Sequence, residues 1–463
     1  MRTLLRTAIL AGLILLVGAC ASPGASYQPP DSQPKDLGEV GFGGDTLADL
    51  PQYDGYDPTV CTLLWKKSTY LSSTAGHPAF DRGRIYVGAL GKLYALGETG
   101  TEVFIWPDQD DQSGVTVPEG MLVSPSIGNN GVIYTGLVAN GGGGGVLALN
   151  TSGMGKWYLD LETPVAEAPA VLQDGSFIAL GTDGKVARVR DFGQDKPYVV
   201  WSGKPGEALG LLTPVAGAQP VLDEVTDGAN PRLWVLYREG LLLLDLDGGV
   251  KGSFLLDDNG DSAVQATGNL LPSPDGSLCF PVASESLGPN LFAKLGVACL
   301  AGPAVALDYK YLELGSGMIG SLSEGRDGTW LLGTSNLGLR LVYRETGALL
   351  GGHFESFQDC AQAVQGADGL IYFGAKPSWL KVLNVNGDLH WQHALKNSEG
   401  ELDAVLAPSS PLLFADGLVV FHAGNQIAGL KCGDSGPAGN AFWPRYGGNE
   451  RNTGNLADSL AGE

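Results

Sequence analysis

The chain has 463 residues, 70 of them glycine and 27 proline, and a formal charge of −22 at neutral pH. So acidic a surface repels nucleic acid and anionic headgroups, and it favours solubility, cations or basic protein partners. Glycine at about twice its usual share, spread along the chain in turn-like dipeptides, predicts an all-β protein with many tight turns.

The first predicted element is an export signal. Arg2 and Arg6 form a positive n-region, and Ala8 to Val17 an apolar h-region. That run is too short for a stop-transfer helix and reads as a secretory signal. It ends in Val17-Gly18-Ala19-Cys20, which resembles a bacterial lipobox. The resemblance implies that residues 1–19 are cleaved away and that the Cys20 thiol carries diacylglycerol. Ala21 and Ser22 stand where an inner-membrane lipoprotein has Asp, which implies the outer membrane of a Gram-negative envelope. Loss of Arg2 and Arg6 takes the formal charge from −22 to −24. No second apolar run of spanning length follows, so the expected membrane contact is the lipid anchor alone.

Residues 20–60 read as a tether. The stretch after Cys20 holds Pro29-Pro30, seven acidic residues and one lysine, with little to bury, and its composition predicts disorder. As a flexible coil it would hold the folded part roughly 35 Å from the membrane.

From residue 61 the chain repeats itself. Eight segments of the type GRIYVGALGKLYALGETG begin at residues 83, 131, 175, 231, 276, 328, 369 and 417. Repeats of about 40–50 residues made of short strands predict one propeller blade each. Each reads as a hairpin, with an apolar strand such as Ile85-Tyr86-Val87, a glycine turn and a second apolar strand. A further glycine turn then leads to an outer strand that often carries Trp, at 106, 157, 201 and 391. A Pro-marked inner strand precedes the hairpin, as in Ser124-Pro125-Ser126-Ile127 and Ala168-Pro169-Ala170-Val171. The predicted fold is therefore all-β, an eight-bladed β-propeller of four-stranded antiparallel blades over residues 61–454, with 455–463 as a tail. Leu64-Trp65-Lys66 reads as an outer strand that precedes the first hairpin. Its expected use is to complete the eighth blade and remove a free sheet edge.

Export makes disulfides permissible. Cys279 and Cys299 are symmetric about residue 289, where Gly288-Pro289 forms a turn, so antiparallel pairing sets them opposite each other. Cys61 lies just before the closing strand and Cys432 just after the strand it would join, and their pairing would staple the ring. Cys360 is left over as a buried thiol.

Three stretches carry a further likeness: Leu96 to Trp106, Leu149 to Trp157 and Leu383 to Trp391. They resemble the blade-ending segment of the pyrroloquinoline-quinone dehydrogenase-like propellers. Phe442-Trp443-Pro444-Arg445-Tyr446-Gly447-Gly448-Asn449, followed by Thr453-Gly454, resembles a motif recurrent in exported members of that superfamily. Active members imply a vicinal Cys pair and a Ca²⁺ site. Here no two cysteines are adjacent and no C-x-x-C-H occurs, so the expected role is non-catalytic, without cofactor or metal. The resemblance extends to the propeller lipoproteins of the outer-membrane β-barrel assembly machinery, and it implies a protein-binding scaffold in the cell envelope. A divergent quinoprotein oxidoreductase and a surface-exposed binder of glycan or protein are the alternatives.

Other groups read as ordinary surface. His390 and His393 flank Trp391 on a strand, where residues three apart point to opposite faces and cannot readily share a metal ion. Asp257, Asn259 and Asp261 alternate like a calcium loop but lack its glycine at the sixth position and its glutamate at the twelfth. Gly141 to Gly145 lack the Lys-Ser/Thr of a phosphate loop and read as a flexible hairpin tip. Recognition is expected from loops at one rim of a monomeric ring. The stretches Asp223–Pro231, Asp257–Ser262 and Ser284–Asn290 are the candidates, and Asp257, Asp258 and Asp261 are the charged contacts to a basic protein partner.

Overall fold

The fold is that of a computed structural model. It describes residues 61–457 except 70–75, 109–112, 192–195, 226–230, 257–263, 274–276, 289–290, 302–306, 336, 354–359, 377, 397–408, 434–435, 437–447 and 450. The expected signal peptide, Cys20 and the tether lie outside those residues.

Eight antiparallel sheets form the ring of an eight-bladed β-propeller. Blade 1 runs from the channel outward as Ala79–Asp81, Arg84–Ala89, Lys92–Gly97 and Glu102–Trp106. Blades 2 to 7 repeat that order over residues 120–160, 170–203, 221–255, 265–312, 319–353 and 364–394. The inner strand of blade 5 is split, because Gln265–Ala266 and Leu271–Pro272 both pair with Leu278–Gly288. Blade 8 takes three strands from the C-terminal end, Leu412–Leu413, Leu418–Ala423 and Gln426–Lys431. Its outer strand is Thr62–Ser68, as expected.

Strand residues alternate between two neighbouring blades, so both faces are apolar. Ile85 and Val87 pack with Leu412, Val420 and Ile427 of blade 8, whereas Tyr86 packs with Ile133 and Leu137 of blade 2. The core is a series of slabs between blades, which is why second and third strands read as continuous hydrophobic runs rather than an in-out alternation. Side chains also stitch the inner strands across the seams. Asn269 bonds the Leu322 carbonyl and amide, Ser323 Oγ donates to the Ala363 carbonyl, and Ser410 N donates to His77 Nδ1.

Two disulfides are present. Cys279 and Cys299 are direct partners in the hairpin register. Cys61 joins Cys432 beside the Thr62–Lys431 pair. In other blades a peptide turn links the third strand to the outer one; in blade 8 this disulfide stands in that place. Cys360 is half-buried and takes part in neither disulfide.

The core extends past residue 454. Asn455, Leu456 and Ala457 are buried, so the expected boundary of the tail falls inside the packed structure.

Candidate protein interface

Strand direction gives the ring two different rims. One carries the turns from inner to second strand and from third to outer strand. These are short, and several close on a positive-φ glycine, such as Gly83, Gly131, Gly100 and Gly248. Asn150, Asp245 and Asn384 open three of the third-to-outer turns by accepting backbone N–H bonds from two and four residues ahead.

Those turns are covered by the preceding blade. Trp65 of blade 8 donates its indole N–H to the Glu98 carbonyl at 2.8 Å. Trp201 of blade 3 does the same to the Leu246 carbonyl at 2.7 Å. Each ring lies on the turn glycine: a Cβ at Gly100 would meet Trp65 at 2.5 Å, and one at Gly248 would meet Trp201 at 2.8 Å. A β-bulge in the outer strand aims the ring, at Leu64 in one case and Val200 in the other. In blade 1 the bulge falls at Val103, and Phe104 rather than Trp106 covers the next turn, at Gly153. Trp106 is buried two residues further on. The W-ending match over Leu96 to Trp106 is therefore out of phase by two.

The opposite rim carries the loops between blades and the turns from second to third strand. Carboxylates pin these loops to the ring. Asp183 accepts from Thr163 Oγ1 at 2.8 Å and pairs with Lys204 at 2.8 Å. Partial burial works to raise its pKa, but the hydrogen bonds and charge of Lys204 and Thr163 prevail and hold it below the usual carboxylate value. The same contact raises the pKa of Lys204. Glu239 accepts from the amides of Leu212 and Thr213, and Glu167 accepts from the Gly217 amide.

This rim presents charged side chains, among them Glu162, Glu285 and Lys294, and also exposed leucines. Leu212, Leu255 and Leu287 are 57, 55 and 59% exposed, and they belong to the blade 3–4 connection, the end of blade 4 and the tip of the blade 5 hairpin. That hairpin, Leu278–Gly288 with Leu291–Leu300, has the longest strands described. Phe292 exchanges two backbone bonds with Gly317 beside its tip, and the Cys279–Cys299 bridge crosses it near its base.

The expected contact stretches do not share one rim, and this corrects the sequence reading. Asp223 pairs with Arg232 on the short-turn rim. Leu255 pairs with Gly240, and Gln265 with Ala283, on the loop rim. Asp257, Asp258 and Asp261 lie outside the described residues, between those two loop-rim strands. Ser284 to Gly288 is strand rather than loop. Sequence reasoning missed the three leucines because a single exposed leucine carries no pattern.

The remaining groups fall as follows. His390 is the bulge residue of its strand, and His393 stacks on Trp391 at 5.8 Å between centroids. Burial, with Lys66 nearby, lowers the His393 pKa. Gly144 and Gly145 are strand residues, not a flexible tip; their absent side chains admit the carbonyls of Leu137 and Leu159. Among the described residues no three His, Cys, Asp or Glu side chains cluster to hold a metal. None of the described helices is long and apolar enough to cross a membrane. A cleft of about 780 Å³ opens on the flank between residues 113–116 and 155–159, with Lys156 and Lys196 among its described lining residues.

No family model and no curated protein matches the chain. Solved structures do. BamB from Moraxella catarrhalis superposes with a TM-score of 0.56 at 14% identity, covering 80% of this chain and 100% of that one. The Dos1 propeller gives 0.59 at 12%, covering 81% and 95%. The C-terminal WD40 domain of Sif2 gives 0.56 at 11%, covering 80% and 98%. The likeness is one of fold.

Proposed function

We propose that the chain is a non-catalytic, lipid-anchored scaffold of the bacterial cell envelope that binds a protein partner through its loop rim. The observation that carries this reading is the presentation of Leu212, Leu255 and Leu287 on one rim of adjacent blades. The inner, second and third strands bury most of their apolar side chains between blades, and loops are the part of a propeller free to recognise a partner. The lipobox at Cys20 supports the envelope location, and the likeness to BamB supports a role of the kind the sequence resemblance implies, in outer-membrane protein assembly. A net charge of −24 after processing, with Asp257, Asp258 and Asp261 in the blade 4–5 connection, points to a basic partner surface.

The test is crosslinking and pull-down from intact membranes across a salt series. Recovery of one protein partner should fall as salt rises. It should be lost when Leu212, Leu255 and Leu287 are changed together to Asp, with the melting temperature held. Unchanged recovery with the triple variant removes this rim from the interface. Quinone-dependent alcohol or sugar oxidation by the purified protein would overturn the scaffold reading. For the anchor, Cys20→Ser should leave an unprocessed or soluble exported form; a mature-sized variant still fractionating with membranes would refute lipidation.

A further inference from the structure

The inner strand of every blade turns one backbone edge toward the channel, and an unpaired edge is a template for another chain. In blades 2, 3 and 4 that edge is occupied at equivalent positions. The amides of Ile127, Val171 and Leu222 donate to the carbonyls of Arg451, Thr453 and Gly454 at 3.0, 2.7 and 2.8 Å. Leu222 and Asn455 form a parallel bridge.

The side chains of this C-terminal stretch read the same surface. Asn452 is fully buried, with φ of 53°. Its carboxamide N–H group donates to the carbonyls of Pro78 at 3.2 Å and Pro125 at 3.1 Å, joining blades 1 and 2. Its own carbonyl accepts from Ser126 Oγ at 2.9 Å and Gln219 Nε2 at 2.8 Å, reaching blade 4. Asn455 Nδ2 donates to the Val171 carbonyl at 3.1 Å and to Glu224. Asn449 shapes the approach by accepting from the amides of Arg451 and Thr453 while its own N–H group bonds Thr453 Oγ1 at 2.6 Å. Gly454, at φ of 63°, passes where a Cβ would lie 2.8 Å from the Pro220 carbonyl.

We propose that the inner-strand ends of blades 1 to 4 form a peptide-binding cradle on the short-turn rim, and that its occupant is the chain's own segment 451–455. The sequence Arg451-Asn452-Thr453-Gly454-Asn455 is the recognition element. Asn452 is its key, because asparagine tolerates the left-handed backbone and carries a carboxamide that serves two blades at once. The clasp couples four blades as one unit at this end of the ring, opposite the loop rim.

Hydrogen exchange on the full-length protein, read by mass spectrometry with site-resolved fragmentation, tests this. In Asn452→Ala the amides of Ile127, Val171 and Leu222 should exchange at least tenfold faster, and all three together. Those of Leu332 and Val342 in blade 6 should keep their rates. Should alanine prevent folding at this left-handed position, Asn452→Gly keeps the backbone and removes the carboxamide alone, and the same result is expected. Wild-type rates at the three amides in the folded variant, or a change confined to one of them, overturn the clasp.

Discussion

At the scale of single residues, two side chains have consequences that can be measured. His422 is wholly buried at the seam of blades 8 and 1, and burial pushes its pKa down to about 4 from 6.5, against a smaller opposing effect of the backbone at Gly76 and Gly424. An unfolded chain takes up the proton near pH 6.5, whereas the native ring resists it to about pH 4. The stability held by neutral His422 is therefore complete above pH 6.5 and declines as pH falls toward 4, by up to about 3 kcal/mol. His422→Gln should shrink that decline in urea unfolding compared at pH 7 and pH 4.5; equal declines in both proteins would falsify the buried neutral imidazole. Gly248 is the second case. Gly248→Ala places a Cβ at positive φ and against the Trp201 ring, so it should cost about 2–3 kcal/mol. Gly217→Ala, at φ of 83° with nothing within 4 Å, should cost about 1 kcal/mol for backbone strain alone. Thermal melts of the pair separate the docking contact from the strain.

At the scale of elements, the blade 5 hairpin carries the plainest forecast. Its register pairs Cys279 with Cys299, and the chain-entropy model gives a bridge over a loop of this length about 3 kcal/mol. Non-reducing peptide mapping should recover the two in one fragment. Recovery of either with another cysteine, or alkylated in the native unreduced protein, would sink the pairing. The turn residues Gly288-Pro289 make this contact legible in the sequence, because antiparallel symmetry about a turn is arithmetic. The docking of Trp65 and Trp201 is half legible: the tryptophans stand out, but the bulge before each does not appear in the residue pattern. Each docking ring directly follows the bulge of its strand, and in blade 1 that position is held by Phe104, two residues before Trp106.

For the whole molecule, closure is the decisive feature. The eighth blade borrows Thr62–Ser68, and a disulfide replaces the missing turn. Deleting 21–60 should leave the melting temperature unchanged, since that stretch adds no expected core. Deleting through 72 removes an outer strand, Cys61 and the Trp65 contact, and should lower it sharply. Equal melting temperatures for the two truncations would refute this scheme of closure.

The eightfold repeat, the strand content, the closing strand and both cysteine pairs followed from the sequence by itself, because period, hydrophobic runs and turn residues are local properties. The same local reading supplied the lipobox and the acidic balance. Which rim a loop occupies, and that Leu212, Leu255 and Leu287 share one, was decided only by the tertiary structure. So was the burial of 452–457 along the inner strands, which sequence reading divided between a motif and a tail. The channel edge is assembled from positions more than 200 residues apart, as Asn452 and Gln219 show, and no local pattern encodes a contact whose partner is supplied by closing the ring.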